Sequence, residues 1–584
     1  MITWQLWGDL AFKLAKDEDK PICLIISQDG YWSRVMIKRA LRDERVVELL
    51  SRLYIPVRVS AEEWPEVSCF ALKFLKVSTG RAGWPMVLWL SPDGEPIMGL
   101  TSLALEDDAP ERFGFVTHLK LIAQHWRDPS WAEVNQIALE RIRQLSDLES
   151  MRRAGRLSHD EYMIDYAERW ILRVDPVWGG FSSPLKFPLP LILSGILGVW
   201  NQLGHRQHLH VVEYSLTQLL RGGLYDHVGG GVWRYSFDEH WSSGCYEKLL
   251  LDQAHFTLLL STLYRITGRR IYREALRATA ELICEDFTSA EGGFIARIGL
   301  EDHDASVIQR GSFHQASWSQ SEVRDSLEPQ EAEWFIKSFL SPERATQRET
   351  GYQGQRYLPR LAYPLDQQEE AYWRSLRPKL LKVRRERDQL DRSLWRICTD
   401  NAVASVALAR AALLLDRPDW FNKARETMSW LLAHLWDGSR LCRAYQGSSR
   451  TTADGALEDY MSVTWALCEF YKYTEDQADI QMAEVDFDSA HELFRDFSNG
   501  GFFHASPQRR RLLPIQEKPT LDGIDLSGNA WSIFALQSLS EATSSSFHRD
   551  ELLELAERFE GSVSCQTSCA VSLVGAFLRE SERH

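Results

Sequence analysis

At 584 residues, with 44% hydrophobic and 26% charged residues, the chain is too long for one ordinary domain and has the composition of globular cores. Its net charge of −15 argues against nucleic acid or an anionic membrane surface as the main partner. Nine scattered cysteines, with no C-x-x-C pair and no zinc-type Cys/His spacing, exclude a disulfide framework and a structural metal. No secretory leader is legible and no apolar run approaches membrane-span length, so the expectation is a cytoplasmic protein with no metal or other cofactor and no membrane partner.

Trp4–Lys20 carries apolar residues at helical spacing, and Pro21–Ser27 (PICLIIS) reads as a buried strand. Arg34–Leu53 reads as one helix, Tyr54–Val59 as a strand and Ser68–Leu75 as a helix. Pro85–Leu90 is a strand, and Ser91–Gly94 (SPDG) is a turn before another short strand. This order predicts a small α/β domain with a central sheet over residues 1–127. From Ala132–Glu149 to Asp550–Phe559 the chain carries amphipathic runs without a strand pattern, which predicts an all-α domain over residues 128–584. Lys379–Arg392 (KLLKVRRERDQLDR) is basic but interspersed with acids and reads as a solvated helix face.

Glycine-aromatic connections recur along this second part: VWGGF at Val177–Phe181, GGGVW at Gly229–Trp233, EGGFI at Glu291–Ile295, GYQGQRY at Gly351–Tyr357, WDGSRL at Trp436–Leu441 and NGGFF at Asn499–Phe503. Glycine just past a helix takes the left-handed conformation, and the aromatic after it starts an extended arm. Six such units predict six helical hairpins closed into an (α/α)₆ toroid. The densest stretch is Gly222–His255, which reads GGLYDHVGGGVWRYSFDEHWSSGCYEKLLLDQAH. So much glycine, aromatic and carboxylate in one connection points to a pocket wall.

The phrases WGDLAFKLAKDEDKPI, VMIKRALRDERVVELL, TGRAGWPMVLWLSPDGEPIMG, GGLYDHVGGGVWRYSFDEHW, ALEDYMSVTWALCEFY and KPTLDGIDLSGNAW carry a family resemblance across most of the chain. They resemble the family that joins a thioredoxin-like domain to an α-helical toroid, the spermatogenesis-associated protein 20 type and its bacterial relatives. The resemblance implies a thioredoxin fold for the first domain, with Pro85 where thioredoxins keep a cis-proline. For the second domain it implies a six-hairpin glycosidase-like toroid with a sugar-sized funnel. Where the family reads Cys-His-Trp-Cys-His, this chain reads Gly30-Tyr31-Trp32-Ser33-Arg34. Thiol–disulfide exchange needs a thiolate and a resolving thiol, and Gly30 and Ser33 supply neither. The redox site formed by Gly30, Trp32, Ser33 and Pro85 is therefore expected to be degenerate. The family's proline and histidine before its Phe-Glu-Lys phrase are Gly244 and Cys245 here, and its Trp-Asn pair is at best Asp400-Asn401.

Glycoside hydrolysis needs two carboxyl groups flanking the bond, and epimerisation needs a base beside a carbon acid. Asp226, His227, Glu247 and Asp459 are the expected catalytic residues, with Asp226 orienting the His227 ring. Tyr225, Trp241, Tyr246, Lys248, Asp252, Tyr460 and Asn529 are expected to contact the ligand. His255, on an apolar helix, reads as a core histidine. The expected function is an epimerase, isomerase or glycoside hydrolase acting on a carbohydrate-like ligand. The alternative is a non-catalytic binding or scaffold protein with both ancestral sites decayed, and a partner protein could dock on the thioredoxin-like domain. Residual thiol chemistry at Cys245 is a third option.

Overall fold

The computed structural model describes residues 2–101, 103–107, 113–150, 159–183, 185–300, 313, 316–340, 356–387, 390–520, 522–523 and 525–563. The first domain comprises α1 (Asp9–Glu18), β1 (Ile22–Ser27), α2 (Tyr31–Ala40), α3 (Glu44–Leu53), β2 (Ile55–Ser60), α4 (Pro65–Thr79), β3 (Met86–Leu90), β4 (Pro96–Leu100) and α5 (Phe115–His125). The sheet order is β2-β1-β3-β4, with β1 and β2 parallel and the other pairs antiparallel. Strand alternation explains the unbroken apolar run of β1. Ile22, Leu24 and Ile26 enter the core shared with α1 and α4, while Cys23 and Ile25 enter the core shared with α3 and α5. A sheet covered on both faces has no polar face to show in its sequence. The predicted Arg34–Leu53 helix is in fact two, because Asp43 caps α3 by accepting from the Arg45 N–H (2.9 Å).

The next helix, α6 (Pro129–Ser150), belongs partly to this domain: Ala138, Leu139 and Ile142 join its core, together with Ile515 from far along the chain. The toroid follows. Its outer helices are α7 (His159–Ile171), α9 (Arg206–Arg221), α11 (Arg270–Glu285), α16 (Pro418–Leu435), α18 (Gln477–Phe494) and α20 (Ser546–Val563). Its inner helices are α8 (Pro190–Leu203), α10 (Leu250–Thr267), α15 (Cys398–Leu415), α17 (Leu457–Thr474) and α19 (Gly528–Thr543), packed side by side in that order from α8 to α19. By length and apolarity α15 could cross a membrane, contrary to expectation, but its apolar residues are buried in the toroid core.

An insertion after α11 holds α12 (Gln320–Ser326), α13 (Pro329–Phe339) and α14 (Gln367–Arg387), with a core built on Trp318, Phe335, Phe339, Leu376 and Leu380. Part of the basic run is lodged rather than solvated. Arg384 pairs with Asp226 and Arg387 stacks on Trp318 at 3.7 Å, while Arg377 just ahead of the run donates to the Val228 carbonyl and pairs with Glu281. Of the GYQGQRY stretch, residues 351–355 lie outside the described residues. Arg356–Tyr357 forms a strand of this insertion and not a toroid turn.

Candidate functional site

The other five glycine-aromatic turns each join an outer helix to the next inner helix, and they share one construction. Each closes on an antiparallel bridge: Val174 with Phe181, Tyr225 with Val232, Thr288 with Phe294, Trp436 with Leu441 and Arg495 with Phe502. In four of them the second bridge residue is clasped by the following inner helix. Gln253, Asn401 and Asn529 each accept from and donate to the backbone of Val232, Phe294 and Phe502, while the Tyr460 hydroxyl accepts from the Leu441 N–H.

Three turns also carry an Asp–Lys fastener. Asp226 Oδ1 accepts from the N–H groups of Val228 (3.2 Å) and Gly229 (2.9 Å), and Lys248 Nζ donates to Oδ2 (2.7 Å) and to the Gly230 carbonyl (2.6 Å). Asp496 with Lys518 repeats the arrangement, and Asp175 with Lys186 repeats it except that the lysine's second bond goes to the Glu239 carbonyl (2.9 Å) and not to the turn. Each Asp stands four residues before a Gly-Gly pair with positive φ, and at Gly230 a Cβ would meet the Ala278 carbonyl at 2.1 Å. Burial opposes ionisation of Asp226, yet Arg384 and Lys248 hold its carboxyl well below the usual range; burial pushes Lys248 down to about 8 against the pull of Asp226.

These geometries reassign most of the expected residues. Asp226 and Lys248 are a buried structural pair. His227 spends Nε2 on the Gly222 carbonyl (3.1 Å), is wedged between Tyr225 and Phe339, and is pushed by burial to about 4. Trp241 donates to the Trp178 carbonyl (2.8 Å) under the Lys186 ammonium, and the Tyr246 ring meets Trp233 edge-on. Asp459 caps α17 through the Ala456 N–H, accepts from Thr399 and pairs with Arg443 (2.7 Å). Tyr460 and Asn529 are clasps. Cys245 does not become a reactive thiol: burial, with Glu247 adding to it, raises it to about 12.

Glu247 is different, because it faces the first domain. It lies on β5 (Glu247–Leu249), which pairs with β6 (Arg297–Leu300), which pairs in turn with β7 (Leu390–Arg392). The register sets Glu247 and Asp391 on either side of Gly299, with Arg297 two residues before it on the same face. Against this face sits the loop where the redox site would be. Gln28 accepts from Arg234 (3.1 Å), Asp29 accepts from Arg297 (3.4 Å) and Ser393, and Arg34 pairs with Asp391. A Cβ on Gly30 would stand 3.8 Å from Arg234 Nη1 and 3.9 Å from both Glu247 oxygens. Gly30 and Ser33 occupy the first turn of α2, Ser33 is buried, and the Trp84–Pro85 bond is cis; the Trp32 side chain lies outside the described residues. The Gln28–Arg34 loop and the toroid mouth therefore face each other.

Two carboxyls here have no hydrogen bond or ion pair among the described residues: Asp252 on α10 and Asp400 on α15. Each immediately precedes a clasp residue, Gln253 or Asn401, so the two are equivalent positions of the internal repeat. Burial raises Asp252 to about 6 against the pull of Arg234 and His255. Burial likewise raises Asp400 to about 8, with Arg443 opposing and Asp525, Asp459 and Glu62 adding to it. Between them His255 Nε2 meets Asp525 (2.9 Å) and its ring stacks on Trp531, so His255 is a buried histidine with an acidic partner rather than an apolar-core one. The sequence offers Asp252 as one of several candidate carboxyls and places it with the ligand contacts, and it gives Asp400 only as part of a poorly matched family pair. The signal available was their shared place, one residue ahead of the repeated clasp.

The fold is a thioredoxin-like α/β domain followed by a helical toroid. Residues 1–146 match the model of the Thioredox_DsbH family, described as a protein of unknown function, DUF255. Across most of its length the chain is similar to spermatogenesis-associated protein 20 of Homo sapiens, at 27% identity over 94% of this chain and 74% of that one. The Mus musculus protein matches at 27% over the same shares. Among solved structures, a D-mannose isomerase aligns with a TM-score of 0.45 at 12% identity, over 69% of this chain and 87% of that one. A family 76 glycoside hydrolase from a bovine Bacteroides thetaiotaomicron strain aligns with a TM-score of 0.45 at 9% identity, over 73% and 78%.

Proposed function

We propose that the protein is an acid–base enzyme acting on a carbohydrate-like molecule at the toroid mouth, with Asp400 as general acid and Asp252 as general base. The carrying observation is that these two carboxyls, alone among the site acids discussed, are enclosed by protein and left without a partner. Their environments also push them apart, to about 8 and about 6, so near neutrality Asp400 holds its proton while Asp252 has largely lost its own. Such a pair suits proton transfer beside a sugar carbonyl. Asp252 takes the proton from carbon as Asp400 protonates the carbonyl oxygen, giving an enediol. Return of the proton to the other face of the same carbon, or to the neighbouring carbon, while an enediol hydroxyl gives its proton back to Asp400, completes an epimerisation or an isomerisation respectively. It equally suits general-acid cleavage of a glycosidic bond. His255 and Asp525 stand between the two carboxyls and would bind ligand hydroxyls. The thioredoxin-like domain takes no part in dithiol chemistry on this reading.

The test is a screen of sugars by thermal shift and by product analysis, followed by Asp252→Asn and Asp400→Asn. Each variant should still bind the ligand and lose turnover by about 100-fold or more, with a bell-shaped pH profile in the parent. Turnover that survives both substitutions would sink the reading. Binding without any turnover would instead favour the non-catalytic alternative, which the loss of Cys-x-x-Cys already makes plausible for the first domain.

A further inference from the structure

The position of the first domain bears on what can reach this site. Its contacts with the toroid ring the mouth. At one side Gln28, Asp29 and Arg34 engage Arg234, Arg297 and Asp391. At another, Arg443 Nε donates to the Glu62 carbonyl (3.0 Å) while its Nη1 holds Asp459. At a third, Glu66 takes a two-pronged pair from Arg509 (2.8 and 2.7 Å), both side chains buried, and Arg509 also donates to the Glu63 carbonyl. Lys73 pairs with Glu517 beside it. Bidentate, desolvated arginine pairs of this kind hold a fixed geometry.

Inside that ring the side chains are enclosed yet not sealed. Glu62 from the first domain, and Arg234, Cys245 and Asp252 from the toroid, lie deep within the protein and still keep accessible surface. Accessible surface under a tied-down domain is the mark of a compartment and not of an open groove. Gly30 contributes to its room. Its backbone is extended and would accept any residue, and a Cβ there would meet Arg234 and Glu247 at ordinary contact distances of 3.8 and 3.9 Å.

We infer that the thioredoxin-like domain is a fixed roof over the toroid site, and that the substrate is a small free sugar or sugar derivative and not a polysaccharide chain. The inference rests on the acid–base reading above for the chemistry, but not for the roof. A linear glycan needs an open groove to run through, and here the loop Gln28–Gly30 and Glu62 stand across it. A monosaccharide-sized molecule needs only the enclosed volume and brief opening at its edge. The first domain thus serves specificity by exclusion, a role that needs its surface and not its lost cysteines.

Two arms test this. In the first, Gly30→Cys places a thiol inside the compartment, and labelling is compared for methyl methanethiosulfonate and a polyethylene-glycol-linked methanethiosulfonate, with the wild-type chain as background. The small reagent should react readily and the large one about 100-fold more slowly, because it must wait for the domains to part. Arg509→Ala, which cuts a buried anchor of the roof, should bring the large reagent's rate up. Gln28→Cys carries the same comparison should Gly30→Cys not fold. Equal rates for the two reagents in the parent geometry would overturn the roof. In the second arm, monosaccharides and linear hexasaccharides built from them are compared by thermal shift. Stabilisation by a monosaccharide but not by its hexasaccharide is the expected result, and equal stabilisation would overturn the size limit. If no sugar binds, the acid–base reading on carbohydrates fails, while the labelling arm still decides whether the compartment is closed.

Discussion

Asp226 and Asp400 are both buried carboxyls at the same end of one toroid, and they are opposites. Asp226 has two backbone donors, a lysine and an arginine, and burial cannot keep it protonated against them. Asp400 has none of these, and burial sets its behaviour. The first belongs to a fastener that recurs at Asp175 and Asp496; the second sits on the inner helix, where the repeat leaves a position free. Chemical density in sequence marks the fastener, whereas freedom from partners marks the candidate acid. The same environment therefore yields a structural carboxylate and a candidate functional one, depending on whether its lone pairs are already taken.

The comparison can be broken most strongly at Asp226. Asp226→Asn leaves Lys248 buried beside a neutral partner and should cost roughly 3–5 kcal/mol at neutral pH, read by urea denaturation. Because the folded carboxyl lies below its unfolded value, this difference should shrink as pH falls through the carboxylate range. Asp400→Asn should do the reverse. Its folded value lies above the unfolded one, so the folded chain holds an extra proton between 3.8 and about 8, and stability falls as pH rises across that window. The variant should gain on the order of a few kcal/mol near pH 9 and nothing near pH 3, seen as a Tm difference that opens with pH. Asn529→Ala or Asn401→Ala removes a clasp and should cost about 1–3 kcal/mol without a pH trend. Asp252→Asn, in a more accessible place, should gain only about 1 kcal/mol above pH 6. A stabilised Asp226→Asn, or a destabilised Asp400→Asn at high pH, would dissolve the distinction between the two acids.

Much of the architecture was legible. The buried strand PICLIIS, the turn SPDG and the glycine-aromatic spacing pointed to the right classes, because each reflects local backbone geometry. GYQGQRY misled because a glycine and an aromatic can lie close together without following an outer helix. The site was harder to read. Asp226 and His227 drew attention by adjacency, although Asp175, Asp226 and Asp496 share the spacing to Gly-Gly that makes them turn residues. Asp400 looked like a poor match to a family pair, since its isolation depends on side chains brought from residues 62, 443 and 525. Helix α14 looked solvated because its partners, Asp226, Glu281 and Asp286, are far away in sequence.

The pairing of Glu66 with Arg509 also sets an order of events. Glu66 leaves the ribosome 443 residues before Arg509, and Arg509 and Ile515, which joins the first domain's core, emerge after most of the toroid. The first domain is thus begun before the toroid but completed only when most of the toroid has been made. Until residue 515 arrives, its α4 face presents an unanswered glutamate and uncovered apolar residues, so the nascent chain carries its own unfilled docking surface through most of synthesis.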